Sequence, residues 1–532
     1  MLCAVRVFDP SGPIALAQTR GSVQVAAGGN LQAALDNAVA GDIIELPAGA
    51  TFTGNFVLAQ KSGTGYITIR TQASEGLPKA GERIGPEHAG RLARLQSPNG
   101  SPALRTAAGA HHWAIVLLEF GPNQAGAGDI LALGDGSSAQ SSLDRVPHDL
   151  LVDRCYIHGD PARGQKRGIA LNSASTTITG SYISDTKSAS QDTQAIAGWN
   201  GPGPYLIEHN YLEASGENFM LGGATPGING IVPADVVFRR NHVTRPASWR
   251  GESWSVKNLF ELKNGRRVLV EGNLFETHWA GAQPGYAIVL TPRGERGAAP
   301  WATVEDVTFR YNIVRDVAAV FDLLARDDTG ASGPLRRLHI TDNLVYNVDR
   351  VWGGNGTFLQ IGEGPGEIVV EHNTIMQSGN VITAYGGTRE TPSAAERFVF
   401  RDNIALHNAN GVIGQSLAVG NDTLARFFPG ALFMRNVLAG GVATRYPADN
   451  LFPTVDWLSQ QFQDPGDRDY RLRLTSSLRS AATDARDLGV GFTALVRAMD
   501  PEVGSLLGPE ADGDPSRASG RSGTRRPPAY IR

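Results

Sequence analysis

Residues 270–275 read VEGNLF, and the same frame, apolar-x-x-Asn-x-apolar, returns along most of the chain. It recurs as FRYNIV (309–314), ITDNLV (340–345), VEHNTI (370–375), FRDNIA (400–405) and FMRNVL (433–438). Upstream, LIEHNYL (206–212) and VFRRNHV (237–243) carry it at Asn210 and Asn241, while VDRCYI (152–157) and ITGSYI (178–183) put Cys155 and Ser181 in the Asn place. From Cys155 to Asn436 successive copies lie 26, 29, 31, 32, 39, 31, 30, 30 and 33 residues apart. Such a period marks a repeat architecture, and three short strands with three turns occupy about this length. The Asn has a structural reading: a tight bend visits the left-handed region, which Asn adopts more readily than most residues. Stacked bends then let each side-chain amide bond its neighbour about 4.8 Å away.

Between the copies lie TTIT, GIAL, YAIVL, FDLL and VITAY, β-branched and aromatic runs bounded by Gly, Asn and Pro, which read as strands. A propeller would show hairpin turns of the Asn-Gly type at regular places, and leucine-rich repeats would show their Leu spacing. Neither pattern is present. The predicted fold is all-β: a right-handed parallel β-helix solenoid over residues 23–500. A solenoid also explains how 532 residues run without a linker, because each coil packs only on its neighbours.

At the start, residues 30–40 (NLQAALDNAVA) read as a short helix capped by Asn30, with Leu31, Ala34, Leu35 and Ala38 on one face to close the first coil. At the other end Leu488–Met499 reads as a small helix or irregular cap, and 501–532 as a disordered Gly-, Pro- and Arg-rich tail. Residues 1–22 read as a degraded or mis-started export signal: Ala-Leu-Ala stands where a signal peptidase cuts, but Asp9 and Pro10 interrupt the apolar run. The expected location is extracellular or cell-envelope. A net charge of −4 argues against nucleic acid as a partner, and no run approaches the ~20 apolar residues of a membrane span. Cys3 and Cys155 make no disulfide framework. His111-His112 and His158, with no further ligands at metal-binding spacing, read as structural or solvent-facing, so no metal site is assigned. The chain reads as a monomer.

The opening NLQAALDNAVAGDIIELPAGATFTGNFVLAQKSGTGYITIRTQ (30–72) resembles the first coils of β-helical polysaccharide lyases of the chondroitinase B and alginate lyase type. The middle, with VKNLFELKNGRRVLVEGNLFE (256–276), resembles a group of uncharacterised bacterial β-helix proteins. The first likeness implies a carbohydrate partner. It also implies a Lys base with an Arg one coil later as acid, a place filled here by Lys263 and Arg293. Abstracting the proton α to a uronate carboxyl needs such a base, and the substrate carboxylate must be neutralised by Ca²⁺ or Arg. Glu217 and Glu261 are the carboxylates nearest to a Ca²⁺ role.

Alternation along DTQAIAGWN, ENFMLGG, NLFELKN, YAIVLTPR, VFDLLAR and TFLQIGEG, read as strands of a sheet preceding each Asn turn, picks out a polar stripe. Phe260 and Leu262 point inward, so Glu261 and Lys263 point out. Thr291, Arg293, Asp322 and Arg326 follow, and Asp192, Gln194, Glu217 and Asn218 precede. Lys263, Arg293 and Glu261 are the catalytic candidates. Asp192, Gln194, Glu217, Asn218, Asp322 and Arg326 are substrate-binding candidates. Trp254 and Trp279 join them, from a cluster of five Trp between 199 and 301, as sugar-stacking faces. The plainer alternatives are a solvated charged face and Trp residues that merely pack. Three functions fit: a lyase acting by β-elimination on a uronate polysaccharide, a glycoside hydrolase using paired carboxylates such as Asp192, Glu217, Glu261 and Asp322, and a non-catalytic carbohydrate-binding solenoid.

Overall fold

The structure, a computed structural model, describes residues 21–73 and 75–504. The expected signal segment and tail, and Cys3 with them, fall almost wholly outside these residues. Three parallel sheets of 14, 13 and 12 strands wind the chain into a right-handed β-helix. Each coil passes through a strand before the Asn turn (upstream sheet), one after it (downstream sheet) and a third. Around Asn210 these are Tyr205–Glu208, Tyr211–Ala214 and Glu217–Leu221. The six strands expected to precede each Asn turn therefore form the third sheet, and a further strand stands between them and the turn. The sequence pattern could not separate these two short apolar runs, since both precede an Asn.

Inward residues of the third sheet stack in one column, with Ile196, Phe219, Phe260, Ile288 and Phe321 in register on successive coils. Phe219 and Phe260 stack at 5.3 Å between ring centroids, and Phe309 meets Phe321 edge to face at 5.1 Å. This interior is continuous from Val25 to Tyr446, so burial of aliphatic and aromatic columns, rather than any one coil, drives folding.

At the turns the Asn side chains join coil to coil. Asn241 Nδ2 donates to Asn273 Oδ1 at 3.1 Å, Asn273 to Asn312 at 2.9 Å and Asn312 to Asn343 at 3.1 Å. Each Oδ1 also accepts the backbone N–H of the preceding Asn, as Asn343 does from Asn312 at 2.9 Å. Each Nδ2 reaches inward to a backbone carbonyl, as Asn312 does to Val270 at 2.9 Å. The series ends at Asn450, only 14 residues past Asn436, which a search at one-coil spacing misses. The left-handed residue is not the Asn but the one before it: His209 (φ 58°), Arg240 (54°), Tyr311 (53°) and His372 (52°). The turn bends one residue early, which leaves the Asn amide aimed inward at three backbone or amide partners.

The helix near the start spans Leu31–Asn37; Asn30 Oδ1 accepts the Ala33 N–H at 3.0 Å, and Leu31 and Leu35 enter the core. The far end departs from expectation. Leu424 and Phe427 of the Asn421–Phe427 helix fill the end of the interior. The helix within 488–499, Phe492–Ala498, lies instead against the outer face of the downstream sheet. Among the described residues no helix is long and apolar enough to cross a membrane.

Candidate functional site

The outward face of the third sheet carries a belt of hydrogen-bonded polar side chains. The first residues of four successive strands, Asp129, Arg167, Gln194 and Glu217, stand in register. Arg167 donates to Asp129 at 2.8 Å and to Gln194 Oε1 at 2.9 Å, and Gln194 Nε2 donates to Glu217 at 2.8 Å. Lys257 continues the belt, its Nζ 3.4 Å from Glu217 and 2.7 Å from Asp192. Asn258 then donates to Glu261 at 2.9 Å, and Lys263 Nζ lies 3.6 Å from the other oxygen of Glu261. Farther along, Gln360 bonds Asp322 at 2.9 Å and accepts from Tyr286 at 2.8 Å.

Lys263 and Arg293 meet on adjacent coils, where the Arg293 N–H donates to the Lys263 carbonyl at 2.9 Å. Their side chains stay 19% and 29% exposed, whereas Glu217 and Glu261 are buried. Arg293 pairs with Asp327 at 3.1 Å and with Asp328. Thr291, one rung from Lys263, is buried. Asp192 is largely exposed beside Lys257, and Arg326 is exposed with a bond to the Ser332 carbonyl. Asn218 does not project outward as strict alternation predicts. It is buried in the wall, where it donates to the Leu212 and Thr244 carbonyls at 2.8 and 2.6 Å.

Behind the belt, fully buried Arg245 donates to Asn218 Oδ1 and to the Gly216 and Asn258 carbonyls, all at 3.0 Å, and stands 2.9 Å from His278 Nδ1. Burial lowers the Arg245 guanidinium to about 9 even with Glu217 and Glu213 opposing the shift. Burial and Arg245 together hold His278 well below the usual imidazole range. Burial raises the Glu261 carboxyl, Lys263 opposing and Glu217 adding to the rise. For Lys257, burial pulls down, but Glu217 and Asp192 outweigh it and hold the ammonium above its ordinary value. Burial also raises Asp322.

The tryptophans divide. Trp279 is 6% exposed and packs with Trp249 and Val256, with Trp254 and Trp352 against them. Lys187 lies over Trp249 at 4.5 Å and over Trp254 at 5.2 Å. Trp199 stacks under Arg167 at 5.0 Å. Trp199, Trp254 and Trp301 are half-buried, whereas Trp249 and Trp279 are buried.

Glu217 and Glu261 do not fit a Ca²⁺ site. Ca²⁺ takes about six to eight oxygens, yet Lys257 and Lys263 already place ammonium groups within 4 Å of both carboxylates. Either ammonium would have to leave, so the positive charge here is the chain's own. Sequence reasoning missed Asp129, Arg167, Lys257 and Asn258. A signal existed: Arg167-Gly-Ile, Gln194-Ala-Ile and Glu217-Asn-Phe each open a strand with a polar residue two before the inward one.

No protein-family model and no curated protein sequence matches the chain. Solved structures do. The alginate lyase AlyGC of family PL6 aligns over 94% of this chain and 60% of its own length, at 14% identity and a TM-score of 0.50. A mannuronic acid specific family 6 lyase from human gut microbiota aligns over 80% of this chain and 87% of its own, at 12% identity and 0.38. The Streptococcus pneumoniae surface protein and adhesin PfbA aligns over 79% and 93%, at 10% identity and 0.41. At such identities the likeness is one of fold, and the chain spans about three-fifths of the first of these structures.

Proposed function

We propose that the protein is an extracellular or cell-envelope polysaccharide lyase that cleaves a uronate-containing chain by β-elimination on the outer face of the third sheet. The observation that carries this reading is the pair Lys263 and Arg293, stacked on adjacent coils and reachable from solvent in an otherwise buried polar belt. Lys263, once its ammonium has given up a proton to solvent, takes the proton α to the uronate carboxyl. The C–H electron pair becomes the new C=C bond, the glycosidic C–O bond breaks, and the departing oxygen takes a proton from water while Arg293 meets its developing charge. The fold shared with an alginate lyase supports a polyuronate as substrate class.

The test is purified protein with alginate, pectate, and chondroitin and dermatan sulfates, followed by ultraviolet absorbance of unsaturated ends. Absorbance should rise on one of them, and Lys263→Ala and Arg293→Ala should each slow it about 100-fold or more. A flat trace from folded protein on all four removes the lyase.

A hydrolase has one observation in its favour. Glu261 and Asp322 share an outward column two coils apart, with Val289 between. Strand spacing puts them roughly 9.6 Å apart, at the upper end of the separation that suits an inverting pair. That reading requires reducing ends without ultraviolet absorbance. Binding with neither signal leaves a non-catalytic solenoid.

A further inference from the structure

The upstream sheet carries a second cluster, on a different sheet of the solenoid from the third-sheet belt. His111 and His148 pair in register on neighbouring strands, so the coil brings His148-Asp149 beside His111-His112. Ligand atoms of His112, His148 and Asp149 all lie within 4.8 Å of one another. The His111 and His112 Nδ1 atoms are 2.8 Å apart, and His148 Nδ1 is 2.6 Å from Asp149. The His111 and His148 rings stack at 5.0 Å. All four residues are partly exposed, open to an ion from solvent.

The backbone makes this convergence unusual. His112 (φ 56°) and Asp149 (φ 53°) are both left-handed, at equivalent places in successive coils. Farther along, the same place is held by left-handed acid and base in alternation, and these neutralise one another. Asp235 pairs with Arg267 at 2.6 Å, Asp306 with Arg337 at 2.5 Å and Glu367 with Arg397 at 2.7 Å. At the His112–Asp149 rungs imidazoles stand where Arg stands elsewhere. Among the described residues no Arg or Lys forms an ion pair with Asp149; its one such partner is His148.

We propose that His112, His148 and Asp149, with His111 as supporting donor, bind a borderline divalent metal ion of the Zn²⁺ class. Imidazole-rich sets with a single carboxylate select Zn²⁺, Cu²⁺ or Ni²⁺ over the all-oxygen shells of Ca²⁺ and Mg²⁺. The ion would clamp two coils together through side chains from adjacent strands.

Titration calorimetry of the full-length chain with ZnCl₂ and, separately, CaCl₂ tests it. Wild type should bind one more equivalent of Zn²⁺ than Asp149→Asn or His112→Gln, and CaCl₂ should not compete for that equivalent. Co²⁺ should give the visible absorption of a low-coordinate site, lost in either variant, while circular dichroism stays unchanged. Equal Zn²⁺ stoichiometry and affinity in wild type and both variants would overturn the proposal. So would a Co²⁺ spectrum indifferent to both substitutions.

Discussion

Two side chains show how much a single position carries in a stacked fold. Asn312 bonds one Asn on each side and the Val270 carbonyl, all without water. Asn312→Ala orphans buried backbone and amide groups on both neighbouring coils, each worth roughly 1–3 kcal/mol. Denaturant unfolding should show a loss on the order of 3 kcal/mol. Asn450→Ala, at the end of the series with a neighbour on one side only, should lose less; equal losses would mean the side chains act independently. Glu213 is a different case. Burial raises its carboxyl to about 7, although it accepts the Asp185 N–H at 2.9 Å and the Tyr211 hydroxyl at 3.0 Å. A carboxyl raised in the folded state favours folding while protonated, so its contribution is complete below the unfolded value near 4.5 and is lost as pH rises through about 7. Glu213→Gln keeps an acceptor and removes the titration. The wild type should lose stability between these pH values by an amount on the order of 3 kcal/mol that the variant does not lose. Parallel stability–pH curves for the two proteins would show that Glu213 is not the group responsible.

At the scale of strands, the third sheet decides what chemistry the face can support. Because Lys257 and Lys263 already neutralise Glu217 and Glu261, any turnover should persist in a chelator such as EDTA with its rate changed less than twofold. Abolished turnover, restored by Ca²⁺, would show that the ammonium groups swing away and the carboxylates take the ion. Lys257→Ala should harm the fold more than Lys263→Ala, since Glu217 is the more completely buried partner and an unpaired buried charge costs about 3–5 kcal/mol. The sheet also shows where sequence is legible. Phe260-Glu261-Leu262 alternates in, out, in as the pleat requires, while the Lys263–Arg293 pairing came from the likeness to β-helical lyases, since coil intervals here run from 26 to 39 residues. Asn218 was illegible because alternation with inward Phe219 points it outward, whereas it is buried against the Leu212 and Thr244 carbonyls. His148-Asp149 went unseen beside His111-His112 because the coil joining them carries no Asn copy before Cys155 from which to count. Burial of Trp279 was hidden too: a cluster of Trp in sequence does not say whether the rings face each other or the solvent.

For the molecule as a whole, residues 483–504 are a strap rather than an end cap. Outward Leu274, Ile313 and Leu344 of the downstream sheet are buried under Val490, Leu495 and Met499, although more than 140 residues separate the two sets. Thr483 hydroxyl donates to Asp402, the left-handed residue of another Asn turn, at 2.6 Å. The interior of the coils does not depend on this strap, since its columns are closed at the far end by Leu424 and Phe427. The strap should therefore open as a separate cooperative unit. Leu495→Asp places a charge where Leu495 is wholly buried among apolar side chains, a change that costs several kcal/mol. Hydrogen exchange should then speed up in residues 488–504 and along the outer edges of Leu274–His278 and Ile313–Val317. Strands of the third sheet should keep their protection. If the substitution instead removes protection from every sheet, strap and coils fold as one unit. If it changes nothing, the strap is not held by its apolar face, and the Asp402–Thr483 contact becomes the anchor to break next.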